Sequence, residues 1–497
     1  MADELSPIEA IMWRVGQTGS LRMTVGAVLI VDRLPDRDAL LERLRFAGDH
    51  AERLTQRPGG PASLRSRPSW VRAPFSPEHQ LRSLSVSAPG TMREVLDLVG
   101  LLESVPFDPE RSPWDVTLID GLEDGKAAIF LRAHHVLTDG IGGIRLVGLL
   151  LDESAWPKDP LTPPAHSAAQ PAPQPRAVPD PVEPRRPGSI TFSATLDGPE
   201  IVGRALAGIN SARGIDPVES AVHSVQWALD VANSVSRQLM VTGGPLTSRP
   251  TTRSMLSRFE VVSVEGARAA ALALGGSRND LLVAAAAAGI GLYHERLGEH
   301  FAELRLATPA STRGSDDAGG NWFAPTRLSV PTAIGRPGPQ FGVVAERLDQ
   351  ARKEPALRVA SALATSFRFL PTRLLSAALH AQAESVDFAA TAVPGLRGQR
   401  HICGSLIEAA YPLGPRLGCP LNISALGNED RLDIGIALDS SVIRHPAVLV
   451  ESLTEAFSGF GTSDADTGDG VEPAATDGDE ARTRSTRQRT TVTQETG

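Results

Sequence analysis

Cysteine is nearly absent from this 497-residue chain: only Cys403 and Cys419 occur, and no CxxC spacing is present. Two thiols cannot build a disulfide framework or a four-thiolate zinc site, and they suit a reducing, cytoplasmic setting. Positive charge is also scarce, with 49 Lys and Arg against 58 Asp and Glu and a formal net charge of -9. Such a balance does not neutralise a phosphate backbone, so no nucleic-acid partner is expected. Long apolar runs are missing too. The longest, LLVAAAAAGIGL at 281–292, falls short of the roughly 18 to 20 residues that a membrane-spanning helix needs. The opening MADELSPIEAIMWR has neither the basic segment nor the apolar stretch of a secretory signal. Any encounter with a membrane is therefore expected from one side only.

What is present is enough to bury a large interior: 41% of the residues are hydrophobic and 22% charged. The length implies two lobes and linkers. Residues 22–32 (RMTVGAVLIVD) read as a buried strand, followed by a helix opened by Pro35 and Asp36. AAIFLRA at 127–133 reads as a second strand, and IGGIRLVGLLLDE from 141 as a mostly buried helix. After the Pro-dominated stretch 155–189, which reads as a semi-stiff linker, come a strand at 258–264 and a buried helix at 280–298 that stops at Gly298. RLDIGIALD, with Leu432, Ile434, Ile436 and Leu438 in alternation, predicts a half-buried strand, and PAVLVESLTEAF a closing helix. Beyond 462 almost nothing can be buried, which predicts a disordered tail. The expected division is a first lobe at 1–154, the linker at 155–189, a second lobe at 190–461 and the tail at 462–497. Strands and helices in succession predict an α/β or α+β fold with mixed sheets.

The stretch RAHHVLTDGIGG, 132–143, concentrates the chemistry. If the strand before it runs on to residue 135, alternation puts His134 and His135 on opposite faces. Joint metal ligation is then excluded, and no HExxH or clustered Cys/His spacing completes a metal site. A neutral imidazole can accept a proton near physiological pH and return it, so a general base is the functional reading. Gly140, Gly142 and Gly143 allow a close backbone approach behind the turn.

HHVLTDG resembles the HHxxxDG signature of the wax ester synthase/diacylglycerol acyltransferase family, part of the wider superfamily of chloramphenicol acetyltransferases and peptide-synthetase condensation domains. The resemblance extends from about 5 to 460: LSPIEAIMW is similar to the family opening, and PFDPERSPWDVTLIDGL (106–122) to a family segment that keeps Arg111 and Trp114. SRNDLLVAAAAAGI contains the family ND pair as Asn279 and Asp280, GGNWFAPTRLSVP a GN segment with Asn321, and AVPGLRGQ an altered NVPGP stretch with Ala392 for Asn. Asn or Asp at a helix start can equally cap free amides.

The resemblance implies two chloramphenicol-acetyltransferase-like lobes with an active-site tunnel between them. It implies His135 as general base, His134 in support, and Asp139, followed by Gly140, holding the motif loop in place. Asn279, Asp280 and Asn321 become candidates for binding substrate or the oxyanion. The implied reaction moves a long-chain acyl group from acyl-CoA, itself a substrate, to diacylglycerol or a long-chain alcohol, with no further cofactor, no metal and no acyl-enzyme. Its partners are acyl-CoA, the lipid alcohol, and a membrane or lipid-droplet surface met peripherally from the cytoplasm. The same fold could instead serve an amine or carrier-bound acceptor, or a lipid-binding protein without turnover. Protonation of His135 predicts loss of activity below about pH 6 to 6.5.

Overall fold

Ser6 opens α1 (Pro7–Gly16) through a reciprocal capping box: its hydroxyl accepts from the Glu9 amide while the Glu9 carboxylate accepts from the Ser6 amide at 2.7 Å. The apolar stretch that follows becomes β1 (Thr24–Val31), and Asp36 caps α2 (Arg37–His50) by accepting from the Ala39 amide at 2.8 Å. The computed structural model describes residues 3–17, 21–59, 68–138, 140–152, 256–311, 323–332, 337–353 and 371–461. The Pro-rich stretch at 155–189, the tail from 462, Asp139 and Asn321 lie outside the described residues.

Beyond α2, a small hairpin pairs β2 (Gln56–Gly59) with β3 (Ser69–Arg72), and the short α3 (Pro77–Gln80) leads into β4 (Leu81–Ser85). Then come α4 (Met92–Ser104), β5 (Trp114–Asp120), β6 (Ala127–His134) and α5 (Gly140–Gly148). The second half contains β7 (Arg258–Val264), α6 (Ala267–Ala273), α7 (Arg278–Arg296), β8 (Glu303–Ser311), β9 (Phe323–Pro331) and α8 (Pro337–Arg352). It ends with α9 (Thr372–Glu384), β10 (Phe388–Pro394), β11 (His401–Ile402), β12 (Ser405–Leu413), β13 (Leu421–Asn428), β14 (Arg431–Leu438) and α10 (Pro446–Gly461).

Two six-stranded sheets result, ordered β11-β12-β1-β6-β5-β4 and β7-β14-β13-β10-β8-β9. Each mixes directions: β4 runs parallel to β5, and β10 runs parallel to both β8 and β13. The expected mixed α/β architecture is therefore present. The first sheet, however, is not made from one stretch of chain, because β12, from the far half, pairs antiparallel with β1 from Gly26–Leu413 to Val31–Ile407. The second sheet lies wholly beyond the 155–189 stretch, whereas the first draws strands from both sides of it.

The strand predicted at 432–438 is buried on both faces rather than one. Its apolar face joins the core under α7, while Asp433, Gly435 and Ala437 on the other face pack against β12. At Gly435 a β-carbon would meet the Pro412 carbonyl oxygen at 1.9 Å, so only glycine lets the two sheets approach there. Asp433, with no exposed surface, accepts from Ser263 Oγ at 2.8 Å, Asn428 Nδ2 at 2.7 Å and the Ala410 amide of β12 at 3.1 Å, and it pairs with Arg431 at 2.9 Å. The helix expected from 141 is also different. It ends at Gly148 and is half-buried.

α7 matches its expectation closely: Leu281 through Ile290 are buried, and Gly298, at φ +78°, ends the helical region in the left-handed conformation that glycine adopts readily. Replacing Asp433 by Ala removes the charged partner shared by both sheets and is expected to cost about 3–5 kcal/mol. Ser263→Ala, which removes one neutral donor, is expected to cost about 1 kcal/mol. Urea unfolding of both variants checks the contrast; equal, small losses would show that Asp433 does not tie the sheets together.

Candidate active site

β6 forms because AAIFLRA is apolar on both sides: Ile129 faces the core under α2, and Phe130 the core under α4. Arg132 breaks that pattern, and its register explains how it is tolerated. It stands directly across from Asp115 of β5, which it grips in a two-pronged pair with Nε–Oδ1 at 2.8 Å and Nη2–Oδ2 at 2.7 Å. Its remaining nitrogen donates to the carbonyls of Leu102 and Val105 at the C-terminal end of α4. Both partners are buried, so the pair is stable only because every hydrogen-bonding end is used. Neither residue was singled out from sequence. The available signal was a charge inside each of two apolar strands, which implies a partner.

Two residues further on, the strand stops. The His134 amide donates to the Pro113 carbonyl at 2.9 Å, and the Leu137 amide turns back onto the His134 carbonyl at 2.9 Å. The Val136 amide also donates to Nδ1 of His134 at 3.1 Å. The strand read at 127–133 thus ends at His134 in a turn, and strand alternation does not orient His135.

The two imidazoles differ in environment. Nδ1 of His134 is an acceptor, so the neutral ring carries its proton on Nε2, which finds no hydrogen-bond partner. That edge lies against Gly16, where a β-carbon would sit 2.6 Å from Nε2, and Trp13 packs edge-on with ring centroids 5.2 Å apart. Burial, reinforced by the neighbouring charge of His135, pushes His134 down from 6.5 to about 3. His134 is therefore a neutral wedge between the opening helix and β6. His135 is also buried, at 8% exposure, and its amide donates to the Met23 carbonyl at 2.6 Å, fixing its backbone to the start of β1.

Other sequence-derived candidates converge from the second half. Asn279, at the start of α7, accepts through Oδ1 from the amide of Ala392 in β10 at 3.0 Å. The next residue along β10, Val393, abuts Gly140, where a β-carbon would lie 3.0 Å from its Cγ1. Three separated motifs, HHVLTDG, SRND and AVPG, thus meet at one place. Asp280 is employed differently. Its carboxylate accepts from the Ser277 amide and hydroxyl in a capping box and pairs with Arg352 at 3.1 Å, so its hydrogen bonds serve the helix start. Of the earlier segment, Trp114 donates its indole N–H to the Leu54 carbonyl at 2.9 Å, whereas Arg111 makes only an exposed pair with Asp108. Among the described residues, no three His, Cys, Asp or Glu side chains are grouped to hold a metal.

The family model for the wax ester synthase/diacylglycerol acyltransferase catalytic domain matches residues 5–282, and that for the WS/DGAT C-terminal domain matches residues 319–460. The chain belongs to the WS/DGAT family. It is accordingly an acyltransferase enzyme of lipid biosynthesis. A Mycobacterium tuberculosis relative with the provisional name diacylglycerol O-acyltransferase is 30% identical over 463 residues, 92% of this chain and 91% of its own. Another from the same organism and with the same kind of name is 27% identical over 368 residues, 72% of this chain and 76% of its own. Among solved structures, a wax ester synthase/diacylglycerol acyltransferase from Marinobacter aquaeolei VT8 superposes with a TM-score of 0.57 at 18% identity, covering 92% of this chain and 98% of that one. The first condensation domain of the calcium-dependent antibiotic synthetase gives 0.57 at 16% identity, covering 94% of this chain and 97% of that one. These two likenesses show the two-lobed fold that WS/DGAT proteins share with condensation domains.

The state of His134 has a consequence for stability. Between pH 6.5 and about 3 the unfolded chain binds a proton at this position that the folded chain refuses, so stability is full above 6.5 and falls as pH drops through that window. The slope contributed by one such group is about 1.4 kcal/mol per pH unit. His134→Leu should be flatter than the parent between pH 6 and 4 by about this amount in denaturant titrations. Equal slopes would mean that His134 is protonated in the folded protein.

Proposed function

We propose that the protein transfers a long-chain acyl group from acyl-CoA to the hydroxyl of diacylglycerol or a long-chain alcohol, with His135 as general base. The observation that carries this reading is the division between the two imidazoles. His134 has its free lone pair committed to the Val136 amide and is held neutral by burial, so it cannot serve as a proton carrier near neutral pH. His135, one residue on, is the other imidazole of the motif, and the Met23 bond holds its backbone at the start of β1.

In the proposed step His135 takes the hydroxyl proton as the oxygen attacks the thioester carbonyl. The imidazolium then returns the proton to the departing sulfur, giving an ester and free CoA. No covalent enzyme intermediate is needed. The oxygen that becomes negative needs a donor. Asn279 uses its Oδ1 on Ala392, which leaves Nδ2 as its donating end, and this supports Asn279 over Asp280 as the candidate. The tunnel that serves such a reaction would have to reach His135, with acyl-CoA and lipid arriving by separate mouths. No helix among the described residues is long and apolar enough to cross a membrane, and we propose that the lipid is taken up by peripheral contact with a membrane or droplet surface.

Thiol release from palmitoyl-CoA, measured with hexadecanol, diacylglycerol and an amine in turn, tests the reaction and its acceptor. His135→Ala should lower kcat by roughly 10²- to 10⁴-fold, while His134→Leu should act mainly through stability. Activity of the parent should fall on acidification as the base is protonated. An unchanged rate in His135→Ala with chemistry limiting would overturn the assignment.

A further inference from the structure

Glu103, in the last turn of α4, is buried to 7% exposure, and its Oε2 is enclosed without a hydrogen-bond partner among the described residues. Arg22 approaches the same turn: its Nη1 donates to the Glu103 and Ser104 carbonyls, and its Nε is likewise enclosed without a partner. A carboxylate oxygen can only accept and an arginine Nε–H can only donate, so the two unmet ends are complementary and belong to neighbouring groups. Leaving either unmet inside a protein is costly. Arg132 and Arg416 complete the charged surroundings of Glu103, each with its own acid: Arg132 on Asp115, and Arg416 on Asp439 at 3.1 Å. Neither relieves Oε2.

The location ties this pair to the reaction. Arg22 immediately precedes Met23, whose carbonyl receives the His135 amide, and Arg132, bonded to the same end of α4, stands two residues before His134. The end of α4 is therefore bonded by two arginines, one in β6 and one just before β1, to the backbone that carries and anchors the histidines.

We infer that Glu103 and Arg22 form a second polar subsite, joined through backbone to the histidine pair, which receives a neutral group carrying one hydrogen-bond donor and one acceptor. This rests on the acyl-transfer reading, whose substrates offer two such groups: an amide in the pantetheine arm of acyl-CoA, and the hydroxyl of the acceptor. Either donates to Oε2 and accepts from Nε.

The test uses the full chain with two substitutions chosen to keep the fold: Glu103→Met, which fills the same buried volume without a polar atom, and Arg22→Lys, which keeps the charge but loses the Nε–H. Dissociation constants are measured in a His135→Ala background, where turnover is removed. The probes are palmitoyl-CoA, the amide-free palmitoyl ethanethiol ester, hexadecanol and hexadecyl methyl ether. Both substitutions should weaken one polar probe by about tenfold or more and leave its depleted counterpart unchanged, with the melting temperature of Glu103→Met equal to or above that of the parent. Loss confined to palmitoyl-CoA identifies the amide, and loss confined to hexadecanol the hydroxyl. Constants within twofold for all four probes would overturn the subsite. A parent protein that releases no CoA would instead overturn the acyl-transfer reading, with the binding constants still deciding the subsite.

Discussion

Asp433 sits where the two sheets cannot separate. Its carboxylate has no access to solvent, yet it collects a serine, an asparagine, an arginine and the backbone of β12, a strand hydrogen-bonded into the other sheet. A buried charge is tolerated only when its partners are held in place, so all four elements are constrained together. Gly435, two residues on, removes the side chain that would otherwise keep the Pro412 carbonyl away. Because β12 is clamped to β14 on one side and paired with β1 on the other, the start of β1 is held in relation to the second half of the chain. That start is where Met23 anchors His135.

Around the histidines the same logic operates at shorter range. A pair of adjacent imidazoles, both free to titrate, would share protons and blur which of them acts. Here the Val136 amide occupies the lone pair of His134 while Trp13 and Gly16 enclose its other edge, so this ring is held neutral. The Arg132–Asp115 pair holds the strand beneath them and ties it to the end of α4, so the backbone leading into the turn has little freedom. In this arrangement the first histidine of the motif is a structural element.

Local pattern was enough to read much of the fold. The strand bounds at 258–264, the cap at Asp36 and the stop at Gly298 follow from hydrophobic period and from which residues satisfy free amides, both of which are properties of adjacent residues. The failures share a cause. The second buried face of 432–438 and the membership of β12 in the first sheet depend on partners outside the local stretch, the latter on a strand hundreds of residues away, and the orientation of His135 on a turn that no period encodes. The site was legible as a set of motifs, but its wiring was not: Arg132 with Asp115, Asn279 with Ala392, and Val393 with Gly140 are contacts between motifs that sequence reading treats one at a time.

That wiring also explains why an altered motif need not be a broken one. Ala392 stands where the related pattern has asparagine, a loss that from sequence alone points to a weakened site. The contact at this position, however, is made by the backbone amide of residue 392, which donates to Asn279 whatever its side chain. Val393 and Gly395, which are retained, do the steric work. Val393 packs on Gly140, and at Gly395 a β-carbon would fall 2.1 Å from Oδ1 of Asn428. The physical requirement at the end of β10 is therefore a free N–H at 392, an apolar branch at 393 and no side chain at 395, and this chain meets all three.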